Sequence, residues 1–413
     1  MENLKKDRAI LRELASKAAE IAALPVQEEK KRLWRALNSL KPERPMVLID
    51  QVCWHEMNVE DKLTLRCEDK ECRGYEWHFR TILYRWEYFP VDMVVEPFIG
   101  VGKAIKNTMF GMSIEEETVA TAAENDVVSH KYENQFNSTD DVYEKIKIPQ
   151  VSHNAAETKR RLELAEYLFD GIMPVRVEGH SPYISIWDNI AMWMGVEPAL
   201  FAMIDNPDMM HALVKRMACG YQTMLDQMVE QNLLCGPQSS IHCSGAFTDE
   251  LPVSGYNPEH PRIQDIWTCG LAQMLGTVSP AMYKEFEIDY VIPVFERFGL
   301  IYYGCCDPLH DRMDVVRLIP HLRKVSMSPW VNKEIGARNI HGDFVFSNKP
   351  SPAYVAVASF DGDLIQNDLT ETKEICRRNN CPLEFILKDI STVHNEPERL
   401  RKWADIAMKV AQN

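Results

Sequence analysis

The chain has 413 residues, 46% hydrophobic and 26% charged, an ordinary globular composition. Its formal charge of −15 argues against nucleic acid or an anionic membrane as partner, and no run of eighteen apolar residues suggests a membrane span. The eleven cysteines are odd in number and scattered, which fits reduced thiols in a cytoplasm better than a disulfide framework.

Residues 1–40 read as one or two polar helices. Leu11, Leu14, Ala18, Ile21 and Ala22 recur at helical spacing and make a core-facing stripe. The opening Met1–Asp7 lacks the apolar core of a signal peptide. Pro42 and Pro45 break the pattern, and Met46-Val47-Leu48-Ile49 then reads as a strand ended by Asp50. Trp77, Phe79, Tyr84, Trp86 and Tyr88 mark an amphipathic helix, and Asp92-Met93-Val94-Val95 is a second apolar run, ended by Glu96. Residues 112–150 are rich in Thr, Asn, Asp and Ser, and are expected to form an insertion or hairpin over the mouth of the fold.

After residue 155 the pattern regularises. Helices are expected over 156–170, around Trp187–Met194, over 208–232, 371–379 and 397–411. Ser279 caps a helix whose first residue is Pro280, and Gly299 stops it. Strands are expected at 172–178 (ending in Glu178), 239–243, 300–305, 325–327, 354–358 and 383–387. Apolar strands alternating with helices are the mark of a parallel sheet covered on both faces. About eight such units favour a (β/α)8 barrel over an open sheet, with 1–40 packed outside it and 41–413 as the catalytic domain.

Chemistry concentrates at Gly304-Cys305-Cys306-Asp307-Pro308-Leu309-His310. In an α/β protein, groups at the carboxyl ends of strands carry the chemistry. Thiolate, imidazole and carboxylate are also the ligands Zn2+ prefers. Cys306 and His310, four apart, share one side if the chain turns helical after Cys306. Neighbours on an extended chain face opposite ways, so Cys305 or Cys306 ligates while the other packs. His242-Cys243 is a second candidate pair. Asp50, Glu96, Glu178 and Asp307 are strand-end acids, and Lys388-Asp389 reads as an ion pair. Trp187, Trp193, Trp267, Trp330 and Tyr303 suit the wall of a flat ligand site. Gly-x-Gly-x-x-Gly is absent, and no Ser-His-Asp or phosphate-loop pattern stands in a usable context.

The run Trp267, Gln273, Ser279-Pro280, Met282-Tyr283, Glu285-Phe286 and Tyr290, followed by Phe298-Gly299-Leu300 and Tyr302–His310, resembles the uroporphyrinogen decarboxylase superfamily. Arg323–Trp330 and Leu387–Val393 resemble its corrinoid-dependent methyltransferase branch, and within it the O-demethylase enzymes that take methyl from methoxylated aromatics. The resemblance implies a distorted (β/α)8 barrel with a cavity at the carboxyl ends of its strands. It further implies Zn2+ there and a corrinoid (cobalamin-type) cofactor carried by a partner protein; Cys306 is the expected ligand, with His310 or a strand-end carboxylate beside it and Cys305 as the other candidate thiol. Methylcobamide:thiol relatives carry His-x-Cys at that strand end and a later Cys. Here Gly304 falls on the His and Cys306 on the Cys, while the later Cys falls near Lys388-Asp389. Decarboxylases carry arginines near the N-terminal strand, where this chain has Glu43–Val52 and ends the strand in Asp50.

The expected activity is therefore methyl transfer from a small aromatic methyl ether to the Co(I) of a corrinoid-binding protein. Glu96, Asp307 or Asp50 would assist the leaving oxygen, and Trp187, Trp267, Tyr303 and Trp330 would hold the ring. A homodimer is compatible with this reading. Its alternatives are another methyl donor, a thiol acceptor, porphyrinogen decarboxylation, or a barrel that binds a tetrapyrrole without chemistry.

Overall fold

The computed structural model describes residues 2–120 and 128–413. Seven parallel strands form the central sheet, in the order Met46–Ile49, Leu383–Leu387, Val345–Asn348, Leu322–Met327, Leu300–Tyr303, Trp267–Gly270 and Tyr183–Ile184. Neighbours along this order are mostly consecutive in sequence and joined through helices, which gives a mixed α/β fold. Ile99–Gly102 and Val175–Glu178 pair in parallel as a separate two-stranded sheet.

Side chains alternate between two buried faces, as period-two geometry requires. Val47, Ile49, Ile301, Tyr303, Val325, Met327, Phe346, Phe385 and Leu387 join the main core under the helices. The opposite face has two apolar clusters. Met46, Val345 and Ile386 meet Leu33, Trp34 and Leu37, while Trp267, Cys269, Leu300 and Tyr302 meet Ile241, Ala246 and Leu251. This inner face is also polar. Lys324, Ser326, Ser347 and Glu384 are each fully buried on it. Lys324 Nζ lies 2.8 Å from Glu384 Oε2 and donates to Ser244 Oγ at 2.7 Å.

Helix Glu2–Ala22 packs through Leu11, Leu14, Ala15 and Ala18 against the helices Lys70–Tyr88 and Ala155–Phe169. Helix Pro25–Asn38 does not stay outside as expected. Its Trp34 is driven into the inner face, so close to Gly245 that a Cβ there would come within 2.3 Å of the indole. The amphipathic pattern of this helix shows that one face is buried, but not what it is buried against.

Two strand expectations are corrected. Tyr354–Ala358 is not a strand: Ala353–Ala356 is a helical turn, entered from Pro352 in right-handed helical backbone. The strand is Val345–Asn348, whose polar Ser347 and Asn348 disguise it. Asp92–Glu96 is irregular, because its polar groups bond elsewhere: Asp92 accepts from Val47 N, and Val95 N donates to Gln27 Oε1. The expected helix after Ser279 forms, but it contains a π-helical segment, Lys284–Ile288, and carries Pro293, which has no N–H to donate.

In the expected insertion, Glu116–Ala120 pairs antiparallel with Val128–Tyr132. Helix Thr139–Lys145, capped by Ser138, packs on helix Pro207–Glu230. Residues 121–127 of that insertion lie outside the described residues. Among the described residues no helix is long and apolar enough to cross a membrane.

Candidate active site

The strand Leu300–Tyr303 ends at Gly304, whose φ is +92°. A Cβ there would meet Leu309 Cδ1 at 2.4 Å and Ser326 Cβ at 3.2 Å, so both backbone and space require glycine. The following turn is held from two sides. The buried Asp307 carboxylate accepts from Cys305 N at 2.9 Å and from Tyr283 OH at 3.2 Å. Ser326 Oγ donates to Cys305 O at 2.7 Å. This leaves Cys305 buried and Cys306 exposed, with their sulfurs 3.7 Å apart.

The strand Leu383–Leu387, separated from Leu300–Tyr303 by two strands of the sheet, delivers Lys388 and Asp389 to the same place. Lys388 Nζ donates to Cys305 Sγ at 3.1 Å and lies 2.8 Å from Asp389 Oδ2. Cys306 Sγ lies 3.7 Å from that same oxygen. The Cys306 hydrogen bond, followed by His242 and Lys388, holds the Cys305 thiol well below its ordinary range despite burial. The charge on Cys305 in turn keeps the proton on Cys306. Burial opposes the charge on Lys388, but Cys305 and Asp389 outweigh it and hold the ammonium protonated. The cluster is thus a thiolate, an ammonium, a carboxylate and a thiol gathered from the ends of two strands.

Below it, Lys349 donates to Tyr302 OH at 2.6 Å and to Ser347 Oγ at 2.8 Å. Burial pushes its pKa down to about 8, against Glu384 and Cys243. The His242 ring stands 5.0 Å from that of Tyr302, and its Nε2 is buried without a hydrogen-bond partner among the described residues.

On the helix-facing side of the sheet, a chain of hydrogen bonds leads away from Asp307. Tyr283 OH and Tyr303 OH are 2.8 Å apart, and Tyr303 OH lies 3.0 Å from Glu287 Oε1. Burial pushes Glu287 from 4.5 up to about 8. The folded protein therefore binds this proton more tightly than the unfolded chain, and stability should fall as pH rises from 4.5 to about 8. Glu287→Gln should flatten that decline. Thermal melts of the two proteins across this window should differ in slope, by about 2 °C or more in total. Parallel melting curves would show that Glu287 is ionised throughout.

A cavity of about 430 Å³ is lined by Asp50 and Cys243, with Trp54, Trp77 and Phe247 in its wall, and Asp50 N donates to Leu387 O, the residue before Lys388, at 2.9 Å. Asp50 pairs with Arg85 Nη2 at 2.9 Å, which, with the Gln51 N–H, holds it ionised in spite of burial. A neighbouring cavity of about 660 Å³ holds Glu96 and Glu178 and shares His78, Ile82, Val94 and Ser239 with the first.

The expected site residues are only partly brought together. Cys305, Cys306 and Asp307 share one turn, and Asp50 lies in the cavity beside them. Glu96 sits in the neighbouring cavity, 3.2 Å from Lys31 Nζ. His310 does not join Cys306 in a helical turn: the chain becomes helical only at Leu309, and the His310 Cβ packs toward Gly336 in helix Lys333–Ile340. Trp187 is fully buried, donating to Phe286 O. Trp267 is on the inner face at the amino end of its strand, donating to Ala246 O. Tyr303 points to the helix side, and Trp330 is 76% exposed. None of these four rings lines the cavity; Trp54, Trp77 and Phe247 do. The roles of Arg85, Lys349 and Glu384 were also missed. The available signal was a charged residue at alternate positions of an otherwise apolar strand, as in Leu383-Glu384-Phe385 and Arg323-Lys324-Val325.

The donor set does not fit Zn2+. Among the described residues no three His, Cys, Asp or Glu side chains group as metal ligands. The space between the Cys305 sulfur and the Asp389 carboxylate is bridged by the Lys388 ammonium, a cation already matched to both.

No protein-family model matches the chain, and no curated protein matches it. Among solved structures, a methyltransferase from Methanosarcina mazei aligns with a TM-score of 0.50 at 11% identity, covering 92% of this chain and 97% of that one. At that identity the likeness is one of fold.

Proposed function

We propose that the protein is a methyltransferase that moves methyl from a methoxylated aromatic to the cobalt of a corrinoid carried by a separate protein. In this reading the seven-stranded sheet is the greater part of a distorted (β/α)8 barrel whose mouth receives that partner. The observation that carries it is Lys388. An ammonium has three N–H donors, and two of them face Cys305 Sγ and Asp389 Oδ2. The third has no partner among the described residues, and Lys388 directly follows Leu387, whose carbonyl accepts from the backbone N–H of Asp50 in the wall of an aromatic-walled cavity. The fold likeness to a protein titled a methyltransferase adds support.

The partner's Co(I) supplies the nucleophile, and this chain has to improve the leaving group. As the methyl–oxygen bond breaks, its electron pair stays on the aryl oxygen. Lys388 donates a hydrogen bond to that oxygen and stabilises the charge developing on it, and the phenolate takes its proton from water on release. Cys305 and Asp389 hold the ammonium in position and keep it charged. Trp54 and Trp77 bound the aromatic ring. Asp50, paired with Arg85, is ionised and is not the acid.

The test is anaerobic incubation with reduced corrinoid protein and a panel of methoxyarenes. Loss of the Co(I) absorption, with one phenol released per methyl transferred, is expected. If methanol or a methylamine gives the change and no aryl ether does, the aromatic donor is wrong. Carbon dioxide release from a porphyrinogen, with no methyl donor active, would overturn the methyltransferase reading.

A further inference from the structure

We infer that Arg85 makes the cavity selective for an aromatic ring bearing a carboxylate, a choice of substrate class that deepens the proposed function and rests on it. Among the described residues that line the cavity, the one Lys or Arg is this arginine, which helix Lys70–Tyr88 supplies. Its guanidinium stands 5.5 Å from the centre of the Trp54 ring. Trp77 meets Trp54 edge-on, with centroids 5.8 Å apart and an interplanar angle of 80°. One N–H group of Arg85, on Nη2, bonds to Asp50. Nε is buried and has no partner among the described residues. A guanidinium has five N–H donors in a planar fork suited to carboxylates, and a buried donor left unpaired is costly. A ligand carboxylate would satisfy the unused donors while its ring lies against the indoles.

The Asp50 charge does not forbid this. Asp50 already accepts from Arg85 and from Gln51 N. The other cavity acid, Asp92, is paired with Arg44 at 2.6 Å. One guanidinium serves two carboxylates elsewhere in this fold: Arg160 donates to Glu71 Oε2 at 2.9 Å and to Glu157 Oε2 at 2.8 Å. Asp50 thus holds the fork still and leaves its other donors for a ligand.

The experiment is calorimetric titration of the full chain with benzoate and with its neutral isostere benzamide. Wild type is expected to bind benzoate on the order of tenfold or more tighter. Arg85→Gln should remove that preference, with benzoate losing the larger share of its affinity. Arg85→Lys, which keeps a cation beside Asp50 but lacks the fork, should restore part of it, and circular dichroism identifies any variant that fails to fold. Equal binding of the two ligands by wild type, which needs no variant, overturns the inference, and so does a benzoate preference that survives in Arg85→Gln. Failure here is separable from failure of the proposed function. If methoxybenzamide donates methyl as well as methoxybenzoate, the Arg85 inference falls and the methyltransferase stands. If benzoate is preferred through Arg85 but no methyl ether reacts, the ligand class stands and the reaction falls.

Discussion

Replacing Lys388 by methionine is expected to lower methyl transfer by on the order of 10²–10³-fold, the usual cost of losing one donor aimed at a developing oxyanion. Methionine has a similar length and keeps the packing at a position that is only 3% exposed, while removing both the charge and the free N–H. The effect should fall on the chemical step and depend on the donor. A methyl ether with a more acidic phenol as leaving group needs less help, so the loss should shrink along a series of ring-substituted ethers. The same substitution removes one of the groups that lower the Cys305 pKa. The pH profile of Cys305 alkylation, followed by peptide mass spectrometry, should therefore move upward. If Lys388→Met shifts that profile yet leaves the rate within about threefold of wild type, the lysine only orders the thiolate and another group assists the leaving oxygen.

Glu384→Leu is expected to destabilise the fold by about 3–5 kcal/mol, because it strands a charge that has nowhere to go. Lys324 and Glu384 are both fully buried, 2.8 Å apart, with Ser244 Oγ bonded to each. Burial disfavours the charge on either partner, and each holds the other ionised. Removing the carboxylate leaves the ammonium to lose its proton or be solvated by water entering the inner face. The double variant Lys324→Met with Glu384→Leu should recover most of the loss, since two apolar side chains of similar size replace the whole pair. Denaturant unfolding of the three proteins measures this. A single variant within about 1 kcal/mol of wild type would mean that Lys324 has found another acceptor.

The chain's local chemistry was legible where a rule acts over a few residues. Ser279-Pro280 announced a helix start, and Ser279 Oγ does accept from Met282 N. The strand expected at 300–305 forms as Leu300–Tyr303, and Gly304 ends it with a φ of +92°, which glycine tolerates best. Alternating apolar strands and amphipathic helices implied a parallel sheet covered on both faces, and seven parallel strands lie so. Lys388-Asp389 was legible as an ion pair because the two residues are adjacent. In each case the interacting groups are neighbours in sequence, so spacing alone carries the information.

What tertiary structure decided was which distant groups meet. Cys306 and His310 are four apart, and a helical turn would have joined them, but the Asp307 carboxylate bonds the Cys305 N–H and holds the chain in a tight non-helical turn. The partner at the cysteines is instead Lys388, 83 residues from Cys305 and brought there by the strand Leu383–Leu387. The tryptophans that line the cavity, Trp54 and Trp77, come from the segment between strands Met46–Ile49 and Ile99–Gly102, whereas Trp187 and Trp267 were taken into the core. An aromatic ring has the same apolar surface in either place, so composition cannot tell a wall from a core. Which one it becomes depends on what packs against it, and that is set by parallel strands brought side by side from 30 or more residues apart.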